Sequence, residues 1–277
     1  MELYYEGSDG TKLDLMNYPI FAQSPETLTQ SSWEYTSISG INGAGRIKLF
    51  YKDAQECNLT LSIMADDAES FNKTMYEIHK IFDRDVRRLT PGRLWWNGFY
   101  KEVFAVDMQT DDFEELFESA ERTITFISVY PYWIRNVVFS YTNGASATDL
   151  LDYNDFDYDI DYDLDDTVEV INNDCIDAAT FEIKFYGPCI NPTISIGNHE
   201  YTLLETLEAG EYATVNARTK KIYKYLANGE RENIFHLRDR DSYIFQPIPY
   251  GSQTLIRSKS LTVDVTIFDE RGEPEWI

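Results

Sequence analysis

Apolar and polar positions alternate in short runs along the first third of the chain, and side chains that alternate with period two belong on strands. Residues 13–18, 33–39, 46–51 and 57–64 read this way, with the glycine-rich stretch 40–45 as a surface turn. The period changes at Asp66. Phe71, Met75, Ile78 and Phe82 recur at helical spacing, and Asp66 with Glu69 fits a capping-box start. Arg84, Arg87 and Arg88 suit the negative end of a helix dipole, so one helix is expected between Asp66 and Arg88.

Pro91-Gly92 ends that helix. Residues 94–96 and 99–108 flank Asn97-Gly98, which supplies the positive φ values of a tight turn, so a β-hairpin is expected. An acidic stretch, residues 111–121, leads into 122–129, where Thr123, Thr125 and Ser128 interleave with Ile124, Phe126, Ile127 and Val129. Tyr130-Pro-Tyr-Trp133 closes the region, because proline cannot continue a ladder. The rest is strand-like: 168–171, 180–186, 193–196, 200–204, 212–216, 221–226, 243–245, 254–256 and 261–268, with turns such as Gly187-Pro188, Gly197-Asn198, Gly210 and Asn228-Gly229 between them. Short strands at that spacing, without a helical period, indicate a β-sandwich. The expected fold is mainly β, in two domains at 1–135 and 136–277. The last strand either closes the second sandwich or returns to the first domain.

Composition agrees with that picture. The chain has 277 residues, more than one compact domain usually holds, and is 43% hydrophobic and 15% aromatic, enough for packed cores. Its net charge is −24, which excludes a nucleic-acid clamp and docking on anionic lipid, since both need clustered cations. Residues 136–166 carry nine Asp and no basic residue, a charge of −9 equal to that of the whole of 1–135. Cys57, Cys175 and Cys189 are odd in number and lack CxxC spacing, so neither a disulfide framework nor a zinc site is implied, and synthesis in a reducing cytosol is expected. The start has no basic or apolar leader, and no apolar run approaches the ~18 residues that span a bilayer.

Within the acidic join, residues 155–165 alternate Asp with Phe156, Tyr158, Ile160, Tyr162 and Leu164, which places six aspartates on one face of an extended segment. An EF-hand would need Gly at position 6 and Glu at position 12. Starting at Asp157 or Asp161, those places hold Tyr162 and Val168 or Asp166 and Asn172. The segment reads instead as a strand opening the second sandwich, its charge opposing edge-to-edge association, with the connection between domains at about residues 135–149. His79, His199 and His236 have no second ligand at metal spacing. No Gly-x-Ser-x-Gly or P-loop occurs, so no catalytic, cofactor-binding or metal-binding residue is expected. Aromatics able to stack on a sugar include Trp276, Tyr201 and Tyr250. A carbohydrate-binding module for host cell-surface attachment is therefore the alternative reading to a structural protein.

One ordered series adds more. Phe181-Glu-Ile-Lys-Phe-Tyr-Gly-Pro188, Asn191-Pro-Thr-Ile-Ser-Ile-Gly197, Leu207-Glu-Ala-Gly-Glu-Tyr212 and Asn216-Ala-Arg-Thr-Lys-Lys-Ile222 lead to Asn228-Gly229, Asn233-Ile-Phe235 and Phe245-Gln-Pro-Ile-Pro-Tyr-Gly251. With Tyr130-Pro-Tyr-Trp133, the series resembles the distal tail protein (Dit) family of long non-contractile-tailed bacteriophages and prophages. The resemblance implies an N-terminal tail-tube-like β-sandwich with one α-helix and an extended hairpin, six copies of which close into a ring. It also implies a C-terminal galectin-like β-sandwich projecting from the ring. The implied role is a baseplate hub at the virion tail tip, assembled in the host cytoplasm, that joins the tail-tube protein to tail-tip or tail-associated proteins while DNA passes through. It implies no enzyme activity and no cofactor. The galectin pattern His-x-Asn-x-Arg is not met, His199 being followed by Glu200 and Tyr201. The hairpin around Trp95 and Trp96 is a candidate for the ring contact, with burial in the monomer core as the alternative.

Overall fold

A computed structural model describes residues 2–40, 45–114, 119–142 and 166–276. The aspartate–aromatic segment 155–165 lies outside the described residues, as do positions 41–44 of the glycine-rich turn. The chain forms two compact units: Met1–Arg135 with Arg271–Ile277, and Asn136–Glu270. The second unit thus ends before the chain does. Residues 271–276 belong to the first unit because Glu275 takes Arg135 and Arg271, each at 3.1 Å, its carbonyl accepts from Asn97, and Trp276 packs edge-on against Trp96.

In the first unit the strands are β1 (Leu3–Glu6), β2 (Lys12–Asp14), β3 (Ile20–Gln23), β4 (Glu34–Ser39), β5 (Gly45–Tyr51), β6 (Gln55–Met64), β7 (Gly92–Trp96), β8 (Phe99–Glu114) and β9 (Ser119–Ser128). Strand β10 (Trp133–Tyr141) starts in this unit and continues in the second. All pairings are antiparallel. One run is β2–β1–β7–β8 and the other β3–β6–β9–β8, because the first part of β8 pairs with β7 and the rest with β9. Register shifts near Val106 and Asp111 let one strand serve both runs, as bulges do. Of the acidic stretch expected as a lead-in, residues 112–114 and 119–121 are ladder, with Asp112 paired to Glu121.

Helix α1 (Ala68–Arg87) begins one residue later than its sequence suggests. Asp67, in extended conformation, is the N-cap and accepts from the Ser70 amide at 2.7 Å. Phe71, Ile78, Ile81 and Phe82 are buried against Leu59, Leu61 and Ile63 of β6 and Ile124 and Phe126 of β9. Phe82, Tyr5 and Phe126 meet ring to ring, and the buried Asp85 accepts from the Tyr5 hydroxyl at 2.7 Å. Each such apolar side chain contributes about 1.5–3 kcal/mol by leaving water.

The second unit is a sandwich. Its strands are β11 (Asp166–Asn173), β12 (Phe181–Tyr186), β13 (Cys189–Ile190), β14 (Thr193–Ile196), β15 (His199–Thr202), β16 (Thr206–Leu207), β17 (Tyr212–Asn216), β18 (Lys221–Tyr225), β19 (Arg231–Asn233), β20 (Gly251–Ser258) and β21 (Thr262–Arg271). One sheet runs β19–β18–β17–β12–β21 and continues to β10; the other is β11–β20–β14–β15. Phe181, Ile183 and Phe185 of β12 and Val263, Val265 and Ile267 of β21 face Ile194, Ile196 and Leu255 of the second sheet, with polar residues alternating outward. The last strand therefore closes this sandwich, and only its final residue, Arg271, and those that follow belong to the first unit. Residues 243–245 are a turn, not a strand: Ile244 and Phe245 are buried there, and Gln246 donates to the Tyr243 carbonyl. Residues 135–141, expected within the connection, are strand.

Candidate interaction surface

Strands β4 and β5 pair with each other and with no other strand among the described residues. Sequence explains both the pairing and its isolation. Tyr35 and Phe50 are cross-strand partners with ring centroids 6.3 Å apart, but Leu49-Phe50-Tyr51 is consecutive, so apolar groups point to both faces. Every residue of β4 and β5 is exposed, with Tyr35 at 60%, Ile38 at 58%, Ile47 at 51%, Leu49 at 56% and Phe50 at 54%. A lone two-stranded hairpin is marginal in water and presents two open edges. Apolar side chains clustered on such a ribbon gain free energy when another surface covers them.

The root of the ribbon is built differently. Trp33 is 56% exposed, and Lys52 lies over both the Trp33 and Tyr132 rings while donating to Ser31 Oγ at 2.7 Å. Gln55 Nε2 donates to Ser32 Oγ at 2.9 Å. Beneath them Lys101 of β8 is buried, donating to the Leu28 carbonyl at 3.1 Å and lying 4.8 Å over the Trp133 ring. Burial holds its pKa down to about 8, the nearby Lys52 charge pushing the same way and Cys57 opposing. Burial raises the Cys57 thiol, so it is a poor nucleophile at neutral pH.

The other residues singled out by sequence fall elsewhere. Trp96 is fully buried between Trp133 and Trp276, and half-buried Trp95 stacks on Tyr4 and donates to Glu6 at 2.8 Å. These tryptophans serve the unit's own packing, and the ring contact expected of them does not hold for Trp96. Tyr201 is fully buried with its hydroxyl on the Gln246 carbonyl at 2.8 Å, so it cannot stack on a sugar. Tyr250 is 65% exposed and Trp276 49%. His79 and His236 are exposed and far apart in sequence, while His199 Nε2 lies 2.9 Å from the Tyr243 carbonyl. Among the described residues no three His, Cys, Asp or Glu side chains group to hold a metal ion. Among the described residues no helix is long and apolar enough to cross a membrane. The β4–β5 ribbon was readable as two strands, and its exposure had one sequence signal, the broken alternation at residues 49–51.

No protein-family model matches the chain, and no curated protein matches it in sequence. Solved structures do. The Dit (gp 19.1) protein of phage SPP1, described as a paradigm of the hub adsorption apparatus in phages infecting Gram-positive bacteria, is 12% identical with a TM-score of 0.57. That likeness covers 97% of this chain and 98% of the SPP1 protein. A chain of the phage P2 baseplate in its activated conformation with Ca is 13% identical with a TM-score of 0.62, covering 99% of this chain and 100% of that one. The same baseplate with Sr gives 13% and 0.62 again. Over nearly its whole length, this chain has the fold of phage Dit and baseplate hub proteins.

Proposed function

We propose that this protein is the non-catalytic structural hub of a phage tail tip, in which six copies form a ring joining the tail tube to baseplate or tail-tip proteins. The fold supports this reading at the level of architecture. The observation that carries it is the β4–β5 ribbon: five large apolar side chains, each more than half exposed, on two strands that pair with no other strand among the described residues. In a ring, each ribbon lies on the next copy, a head-to-tail contact that closes by rotation. Residues 1–135 form the ring and 136–270 the projecting sandwich. The acidic charge suits a channel that DNA crosses without sticking. Assembly takes place in the host cytoplasm, and the finished protein sits at the virion tail tip.

The ribbon is exposed, so substitutions there should separate assembly from folding. Native mass spectrometry of Ile47→Ser/Leu49→Ser is expected to give monomer where the unaltered protein gives a ring, with the thermal midpoint unchanged. A ring that survives both substitutions, or an unaltered chain that stays monomeric with its tail-tip partners added, contradicts the proposal.

A further inference from the structure

Lys101 is 3% exposed and forms one hydrogen bond, although an ammonium has three protons to donate. Among the described residues no carboxylate lies within ion-pair distance of it, in a chain holding 48 acidic residues. Burying a cation without a counter-charge is costly, and folded chains rarely keep one that has no use. Lys101 lines a cavity of about 270 Å³ together with Gln30, Ser32, Gln55, Glu56 and Ser128. A second buried polar atom lies on this cavity: Gln55 Oε1 has no hydrogen-bond partner among the described residues, while its Nε2 is held by Ser32. Lys52, also without a carboxylate, adds positive charge nearby.

The cavity thus offers a buried donor with positive charge and a buried acceptor, and needs a ligand that supplies the reverse. We infer that it receives the carboxylate of an aspartate or glutamate from another protein chain, bound by Lys101, with an N–H of the same segment donating to Gln55 Oε1. Glu56 on the same wall and the overall charge of −24 disfavour a polyphosphate. A monovalent carboxylate fits the charge balance. The cavity lies at the root of the β4–β5 ribbon, flanked by residues that precede β4 and follow β5, so a chain that covers the ribbon also reaches it. The identity of that chain as a second copy rests on the assembly reading above; the carboxylate chemistry does not.

Lysine labelled with ¹³C at Cε reports each ammonium directly. In the full chain at constant ionic strength, replacing chloride by acetate should move the Lys101 midpoint from about 8 toward the ordinary lysine value and leave Lys224 in place. Gln55→Leu should keep that response to acetate but abolish the tighter binding of N-acetyl-aspartate methylamide over acetate. A Lys101 signal that is the same in acetate and chloride overturns the inference, whatever the assembly state. If a ring forms and Lys101 in it still titrates near 8, a docked carboxylate is overturned while assembly stands. If no ring forms but acetate moves Lys101, the assembly reading fails and the carboxylate site stands.

Discussion

Two buried lysines, one in each unit, show how the same side chain can be structural or left available. Lys224 on β18 is 9% exposed and donates to Glu205 at 3.0 Å and the Thr206 carbonyl at 2.9 Å, with Glu211 also at 3.0 Å. Burial alone would lower its pKa, but the bonds to Glu205 and Glu211 outweigh that and raise it. Lys101 on β8 is 3% exposed, and among the described residues no opposite charge pairs with it, so burial wins and the pKa falls to about 8. Both side chains are largely covered, Lys101 the more deeply, and the two carboxylates beside Lys224 set the direction of its shift. Lys224 is thus paired within the second unit, whereas the first carries, among the described residues, a buried cation without a counter-charge and an uncovered apolar ribbon.

The largest expected effect is in pH dependence. Lys101 titrates near 10.5 in the unfolded chain and near 8 in the folded one, so between those values the unfolded chain binds a proton that the folded chain does not. Its contribution therefore weakens folding as pH falls from 10.5 to 8 and is constant below 8. Denaturant unfolding of the unaltered protein and Lys101→Met should show their stability difference changing by roughly 3 kcal/mol across that window, in favour of the variant at low pH. Lys224 should give the opposite sign. Its raised pKa makes its stabilisation full below 10.5 and lost above, so Lys224→Met should lower the thermal midpoint at pH 7 and differ less from the parent at high pH.

The contrast can also be erased. Cys57→Asp places a carboxylate beside Lys101 and should convert it to the Lys224 type, adding roughly 2 kcal/mol at pH 7 and removing the acetate response. Equal stability with an unmoved Lys101 midpoint would mean that geometry, rather than missing charge, keeps the site open. The smallest effect marks the exposed limit: Arg87→Ala breaks the i,i+4 pair with Asp83 at 2.7 Å, where Arg87 is 79% exposed, and should cost about 0.3 kcal/mol in the same assay.

Much of this architecture was legible in the chain. Period two places Leu59, Leu61 and Ile63 on one face of β6, and period 3.6 places Phe71, Ile78 and Phe82 on one face of α1. Asn97-Gly98 forms the hairpin turn because both residues take positive φ, 45° and 82°. Boundaries were harder. The capping-box spacing favours Asp66 with Glu69, but the N-cap is Asp67, whose backbone is extended and whose side chain accepts from the Ser70 amide. Strand β10 was missed because Arg135-Asn-Val-Val-Phe-Ser-Tyr141 follows a proline-marked end and precedes an acidic run, both of which suggest a linker. The turn at residues 243–245 was misread because Tyr-Ile-Phe favours a strand by propensity, while here Ile244 and Phe245 fill the sandwich core from a loop.

Local sequence, then, determined which elements form, since hydrophobic period and turn chemistry act within a few residues of each other. It even placed Lys101 on the inward face of β8, two residues from Phe99 and from Val103. The tertiary structure alone decided what meets it there. Lys224 meets Glu205 and Glu211, nineteen and thirteen positions away in the chain, whereas Lys101 meets Leu28 and Trp133, which offer it no charge. Whether Tyr201 is buried and Tyr35 exposed is likewise set by which sheets stack and which hairpin stays alone. Burial and counter-charge are properties of neighbours brought together by folding, and no residue carries them by itself.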